Sequence, residues 1–179
     1  MNLDVCVKAS VGGKVVYEKE NDPWCVGFCG VFLGYRYAMQ SLSIPDVGNT
    51  SRTWNVANAS MAGPSGNASY GPVVGTGNTA HSFDDYNLGT KIAHGTGTGQ
   101  LSYGVTNFNN PQNSGNDRYF EVYRTFTNSS GASITVYEIG MIMYNGSYYF
   151  LACRDVISGG IEIPNGQALT LTYKVKISL

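Results

Sequence analysis

A chain of 179 residues with 42% hydrophobic content is long enough to close one core, so a single domain spanning 1–179 is expected. A net charge of −1 with 13% charged residues, and no run of Lys or Arg, excludes the basic footprint of a nucleic-acid binder or of a protein drawn to an anionic membrane. Twenty-three glycines and thirteen tyrosines among many Asn, Ser and Thr suit short strands and polar turns, which makes the expected class mainly β.

Residues 1–40 read as a hairpin followed by a helix. Strands over Val5–Ala9 and Val15–Tyr17 flank a Gly12-Gly13 turn. Asp22-Pro23 then supplies a helix cap with proline in the first turn, and Cys25, Phe28, Cys29, Phe32, Tyr35, Arg36 and Met39 recur at helical spacing. The spacing predicts a helix over Pro23–Met39. Gly27, Gly30 and Gly34 each cost it about 1 kcal/mol against alanine, so packing has to hold it. Residues 41–77, rich in Ser, Asn, Gly and Thr with Pro45, Pro64 and Pro72, read as an extended excursion with one or two short strands. The stretch Ser82–Leu88 suits one helical turn, and a strand is expected near Leu101–Val105.

Residues 78–179 read as the core of the fold. In Arg118–Phe126, Phe120, Val122 and Phe126 share one face and Tyr119, Glu121, Tyr123 and Thr125 the other. A turn at Asn128–Gly131 precedes a strand over Ile134–Tyr144, and Asn145-Gly146 turns it into Tyr148–Asp155. Gly159-Gly160 reads as another turn before Ile161–Pro164. After Asn165-Gly166, a last strand places Leu169, Leu171, Tyr173, Val175 and Ile177 inside and Thr170, Thr172, Lys174 and Lys176 outside. Five strands joined by tight turns predict an antiparallel sheet, and with the earlier strands an antiparallel, jelly-roll-like β-sandwich carrying one N-terminal helix.

Motifs for chemistry are weak. Cys25 and Cys29 stand in a C-x3-C spacing without a nearby histidine, and Cys6 and Cys153 stand alone; four reduced, buried thiols are a better reading than zinc. Gly75-Thr-Gly-Asn-Thr79 and Gly95-Thr-Gly-Thr-Gly99 lack the Gly-Lys-Ser/Thr ending of a phosphate loop. His81 and His94, near Asp84 and Asp85, have no metalloprotease spacing, and no nucleophile elbow or facing carboxylate pair is assignable. No catalytic residue, metal or cofactor is therefore expected. Asn49, Asn58, Asn67, Asn128 and Asn145 each begin an Asn-x-Ser/Thr triplet, which here marks loops rather than glycans. Met1-Asn2-Leu3-Asp4 lacks a signal-peptide pattern, and the apolar stretch Trp24–Leu33 is about half a membrane span. Synthesis in a reducing cytoplasm is expected.

The tyrosines are the strongest functional signal. Tyr119 and Tyr123 fall on the non-core face of their strand, and Tyr144, Tyr148 and Tyr149 cluster at one turn. Exposed tyrosine offers apolar area at low entropic cost, so these five form a candidate protein interface, with the second buried face of a sandwich strand and sugar stacking as the alternatives.

Further strings carry a resemblance: Val74-Gly-Thr-Gly-Asn-Thr79, Asp85-Tyr-Asn-Leu88, Arg124-Thr-Phe-Thr-Asn-Ser-Ser-Gly131, Glu138-Ile-Gly140, Ala152-Cys-Arg-Asp-Val156 and Asn165-Gly-Gln-Ala-Leu-Thr-Leu-Thr-Tyr173. Together with the layout of the N-terminal hairpin and the Asp22-led helix, they resemble a group of small phage and prophage virion proteins. The resemblance implies a β-sandwich component of a virus particle, such as a head decoration, minor capsid or tail protein. It supplies no catalytic residue. The expected function is thus non-enzymatic assembly in a virion, with copies of itself as a homo-oligomer, a trimer or a larger array, and with a major capsid or tail protein. The alternative is a receptor- or carbohydrate-binding module whose partner is a glycan.

Overall fold

The computed structural model describes residues 2–20, 43–53 and 59–178. These residues form antiparallel strands and no helix. The helix expected over Pro23–Met39, with Cys25 and Cys29, lies outside the described residues.

The larger sheet is built on β1 (Asn2–Val11), β2 (Lys14–Lys19), β9 (Asp117–Thr127) and β12 (Ala168–Ser178), in the order β2-β1-β12-β9. Its far flank is completed by three short strands on β9: β6 (Ser102–Tyr103), β7 (Asn107–Phe108) and β8 (Gln112–Ser114). Gly12 and Gly13, with φ of 56° and 80°, make the β1–β2 turn, a backbone that most side chains resist. The alternation read from the sequence becomes transverse rows. Val5, Val175 and Phe120 pair across three strands, as do Val7, Tyr173 and Val122, and Val11, Leu169 and Phe126. All face the core. The intervening row, Ala9–Leu171–Arg124, puts a charged residue on the same face.

The smaller sheet has the order β11-β10-β5, from β5 (Gly71–Gly75), β10 (Ile134–Tyr144) and β11 (Tyr149–Ile163). A two-stranded ribbon, β3 (Ser43–Pro45) and β4 (Ser51–Thr53), stands apart from both. Both large sheets contribute to one buried cluster, in which Phe126, Leu169 and Tyr173 from one meet Ile139, Ile142 and Leu151 from the other. Phe126 meets Tyr103 edge to face, with ring centroids 4.8 Å apart at 84°. Tyr103 in turn donates its hydroxyl to the Ile92 carbonyl at 2.7 Å, so the ring is buried without an orphaned polar atom.

Several local expectations need correction. The five strands expected at the C-terminus are four, and they are not one sheet: β9 and β12 belong to the larger sheet, β10 and β11 to the smaller. Of the turns between these four strands, only Asn145-Gly146 closes a hairpin. The Asn128–Gly131 and Asn165-Gly166 turns are corners where the chain changes sheet. Asn128 joins the two corners: its side-chain amide donates to the Ala132 and Ile163 carbonyls at 2.8 and 2.7 Å, and its backbone pairs with Gln167 and Gly166. It is fully buried, so this Asn-x-Ser triplet is a structural device. Asn67 and Asn145 likewise accept from an amide two residues on, the signature of an Asx turn.

Gly159-Gly160 is not a turn either. Strand β11 runs through it, and because Val136 pairs with Ile161 while Glu138 pairs with Val156, residues 157–160 bulge opposite Tyr137 alone. The two glycines, with φ of 81° and 69°, absorb the extra length. Ser82–Leu88 forms a turn closed by Asp85 N to Ser82 O at 3.1 Å, not a helical turn.

The polar excursion is anchored by its own chain. Arg124, fully buried on β9, donates to five carbonyls: Gly104 at 2.8 Å, Tyr70 at 3.0 Å, Pro72 at 3.2 Å, Pro64 at 2.9 Å and Asn67 at 2.6 Å. Its guanidinium also lies 4.9 Å from the Tyr103 ring centroid. Four of those carbonyls belong to 64–72, so a single fork of N–H groups orders a segment with little apolar surface of its own. Burial holds the guanidinium pKa below its usual value, opposed by the Tyr103 and Tyr70 hydroxyls.

Candidate functional site

The five predicted tyrosines fall into two groups on different sheets. Tyr119 and Tyr123 are half-buried on the outer face of the larger sheet, in rows with Lys176 and Asp4 and with Thr172 and Lys8. Lys174 Nζ sits 3.7 Å from the centroid of the Tyr119 ring, whose hydroxyl donates to Gln112 Oε1 at 2.8 Å. This face is polar, fitted with paired charges such as Lys8–Glu18 at 3.0 Å.

Tyr144 and Tyr149 pair across the tip of the β10–β11 hairpin. Their rings stack at 5.0 Å, and Tyr70 joins them at 5.3 and 6.0 Å. Tyr70 and Tyr149 pack against the core; Tyr148 is the exposed member, at 37%. Arg52 covers one face of the Tyr148 ring at 4.3 Å, while its Nε donates to Asp46 Oδ2 at 3.1 Å. The β3–β4 turn is tied to the same tip by Val47 N to Tyr149 O at 2.9 Å.

Asp46 holds that turn. Its Oδ1 accepts from the Gly48 and Thr50 amides at 2.9 and 3.0 Å. Burial alone would raise its pKa, but the Thr50 amide, Arg52 and the Gly48 amide outweigh it, and the carboxyl is held below the usual aspartate value. A depressed folded pKa means the stabilisation is fully present above the unfolded-state value and is lost as pH falls through the folded one. The expected result is that Asp46→Asn lowers the unfolding midpoint at neutral pH, and that the gap from wild type narrows as pH drops below the ordinary aspartate range. A gap independent of pH would disprove the assignment.

A second constellation lies where the sequence offered only glycine-threonine loops and an acidic pair. Glu138, fully buried on β10, accepts from the Gly77 and Thr90 amides at 3.0 and 2.7 Å on Oε1, and from the Gly89 amide and Arg154 Nε at 2.9 and 2.8 Å on Oε2. Gly77 of the Gly75–Thr79 stretch, together with Gly89 and Thr90, cradles an anion, but the anion is the chain's own carboxylate. A Cβ on Gly77 would come within 2.5 Å of Glu138 Oε1, which explains the glycine. Arg154 also donates to Asp85 Oδ2 and to the Thr79 carbonyl, each at 2.9 Å. Burial lowers the Arg154 pKa, and Glu138 and Asp85 reverse this to a net rise.

The structure separates the two histidines. His81 Nδ1 lies 3.4 Å from Asp85 Oδ2, whereas His94 Nδ1 accepts from the Tyr103 amide at 3.1 Å. Cys6 and Cys153 sit on different sheets, half-buried and buried. No group of three His, Cys, Asp or Glu side chains suited to a metal occurs among the described residues. Among the same residues no helix is long and apolar enough to cross a membrane. Arg124, Glu138 and Arg154 were missed because hydropathy reads a charge as solvent-facing; the signal available was their position in phase with the apolar residues of β9 and inside the apolar runs of β10 and β11.

No protein-family model matches the chain, and no curated protein or solved structure matches it either.

Proposed function

We propose that this chain is a non-enzymatic structural subunit of a virus particle, a jelly-roll-like β-sandwich that assembles with copies of itself and with a major capsid or tail protein. The observation that carries the reading is the placement of two outward-facing aromatics. Tyr148 with Arg52, in the β10–β11 turn, and half-buried Tyr119 with Lys174, on β9, are cation-capped rings, the pairing of aromatic and cationic side chains that concentrates binding energy at protein interfaces. The likeness of its turn and strand motifs to small phage virion proteins supports the same reading. Buried charges here are consumed by structure: Arg124 serves carbonyls and Glu138 serves amides, which leaves neither as an acid or base.

The test is assembly. In a variant carrying Tyr148→Ser and Tyr119→Ser, association should weaken by about 2–4 kcal/mol while the unfolding midpoint moves little. Light scattering on both proteins, with binding to particles lacking the subunit, reads the effect. A wild-type chain that stays monomeric at high concentration and does not bind such particles defeats the proposal.

A further inference from the structure

A cleft of about 490 Å³ opens between the β3–β4 turn at Val47-Gly48 and the segment Asp85–Gly89, with Arg154 in its wall. We infer that this cleft is a binding site for a neutral, hydroxyl-rich ligand, a sugar ring of a surface glycan. The inference goes beyond the assembly reading and does not rest on it.

The volume falls within the roughly 300–1,000 Å³ of small-molecule sites. The chemistry of the lining is selective. Three of the five N–H groups of Arg154 are already committed, Nε to Glu138, Nη1 to Asp85 and Nη2 to the Thr79 carbonyl. Two carboxylates against one guanidinium leave the cluster negative, which repels phosphate or an acidic sugar. A cation gains little, because Asp85 is already neutralised by Arg154 and the remaining charge, Glu138, is fully buried beneath. Asp85 is used unevenly: Oδ2 takes the Ser82 amide and Arg154, both at 2.9 Å, with His81 Nδ1 3.4 Å away, whereas Oδ1 accepts nothing among the described residues. An ionised acceptor held in place by its other oxygen makes strong hydrogen bonds to hydroxyl donors. Beside it, the Tyr86 ring is 38% exposed, and neither its hydroxyl nor that of Thr79 has a partner among the described residues. A pre-positioned carboxylate oxygen, two free hydroxyls and an exposed aromatic face match the vicinal hydroxyls and apolar C–H face of a hexose.

The experiment is an amide-shift titration of the intact chain with D-glucose, D-galactose, D-mannose and N-acetyl-D-glucosamine through the millimolar range. At least one sugar should give saturable shifts at Gly48, Thr79, Tyr86 and Gly89. Tyr86→Ala should weaken that binding at least tenfold and Thr79→Val at least threefold, each with the wild-type spectrum elsewhere; Thr79→Val keeps the carbonyl that Arg154 uses and so protects the fold. The same titration on Tyr119→Ser, on the other sheet, separates this site from the assembly surface, since its affinity should be unchanged. Absence of saturable shifts with all four sugars overturns the inference. So does a stronger response of the same amides to inorganic phosphate or tetralysine, or a response centred on Tyr148 or Tyr119.

Discussion

Arg124→Met is expected to cost about 3–5 kcal/mol, a large share of the roughly 5–15 kcal/mol that holds a domain together. The substitution keeps most of the side-chain volume, so the loss comes from polarity rather than from a cavity. Five carbonyls lose their donor at once. Each orphaned group would cost about 1–3 kcal/mol if sealed from water. The bond to Pro72 is the fully buried one and the other four are partly buried, so water recovers part of the loss and the total stays below the sum. Arg124→Lys should recover less than half, because one ammonium cannot reach acceptors spread around a planar fork. Denaturant midpoints for the three proteins settle it. Full recovery by lysine would mean that charge, not the directed N–H array, holds the excursion.

Glu138→Gln should cost about 3 kcal/mol or more, even though it changes no shape. The carboxylate accepts from three backbone amides and one guanidinium; a carboxamide must turn its NH2 toward two of those four donors. Arg154→Met should cost a similar amount by leaving a buried carboxylate without its counter-charge. Combined, the two changes should cost at least 1 kcal/mol less than their sum, because each removes part of what the other depends on. Simple additivity would show that the pair does not act as a unit. Hydrogen exchange gives an independent readout: in Glu138→Gln the amides of Gly77, Gly89 and Thr90 should lose protection while those of β9 and β12 keep theirs.

Much of this architecture was legible wherever one face of a strand is wet. Period-two alternation placed β9 and β12 and the residues they bury, because each meets the core on one side only, and the Gly12-Gly13 turn placed β1. The failures have physical causes. A glycine pair with positive φ serves a turn or a bulge equally well, so Gly159-Gly160 was read as a chain reversal inside what is one strand. A tight turn says that the chain bends, not which sheet receives it; Asn128–Gly131 and Asn165-Gly166 reverse direction and cross between layers together. Tyr119 and Tyr123 lie on the outer face of β9 and Tyr144, Tyr148 and Tyr149 at a hairpin tip, and their division into two groups depends on sheet membership, which the local pattern does not encode. Tyr70 completes the stack from a segment distant in sequence. The cleft depends on Gly48 and Tyr86 meeting across the fold, a proximity created by tertiary packing alone.

The bulge at residues 157–160 has a bearing on how the chain behaves at high local concentration. Among the described residues β11 is the outermost strand of the smaller sheet, and at fifteen residues a straight ribbon there would be a template for runaway strand addition. Four residues opposite one break the two-residue rhythm of its N–H and C=O groups, and Ser158 and Gly159 project into solvent. An incoming strand that matches one half of β11 is out of step with the other. Fibre-like stacking is therefore interrupted part-way along the strand, and crowded copies are left to meet through side chains, in geometries that can close.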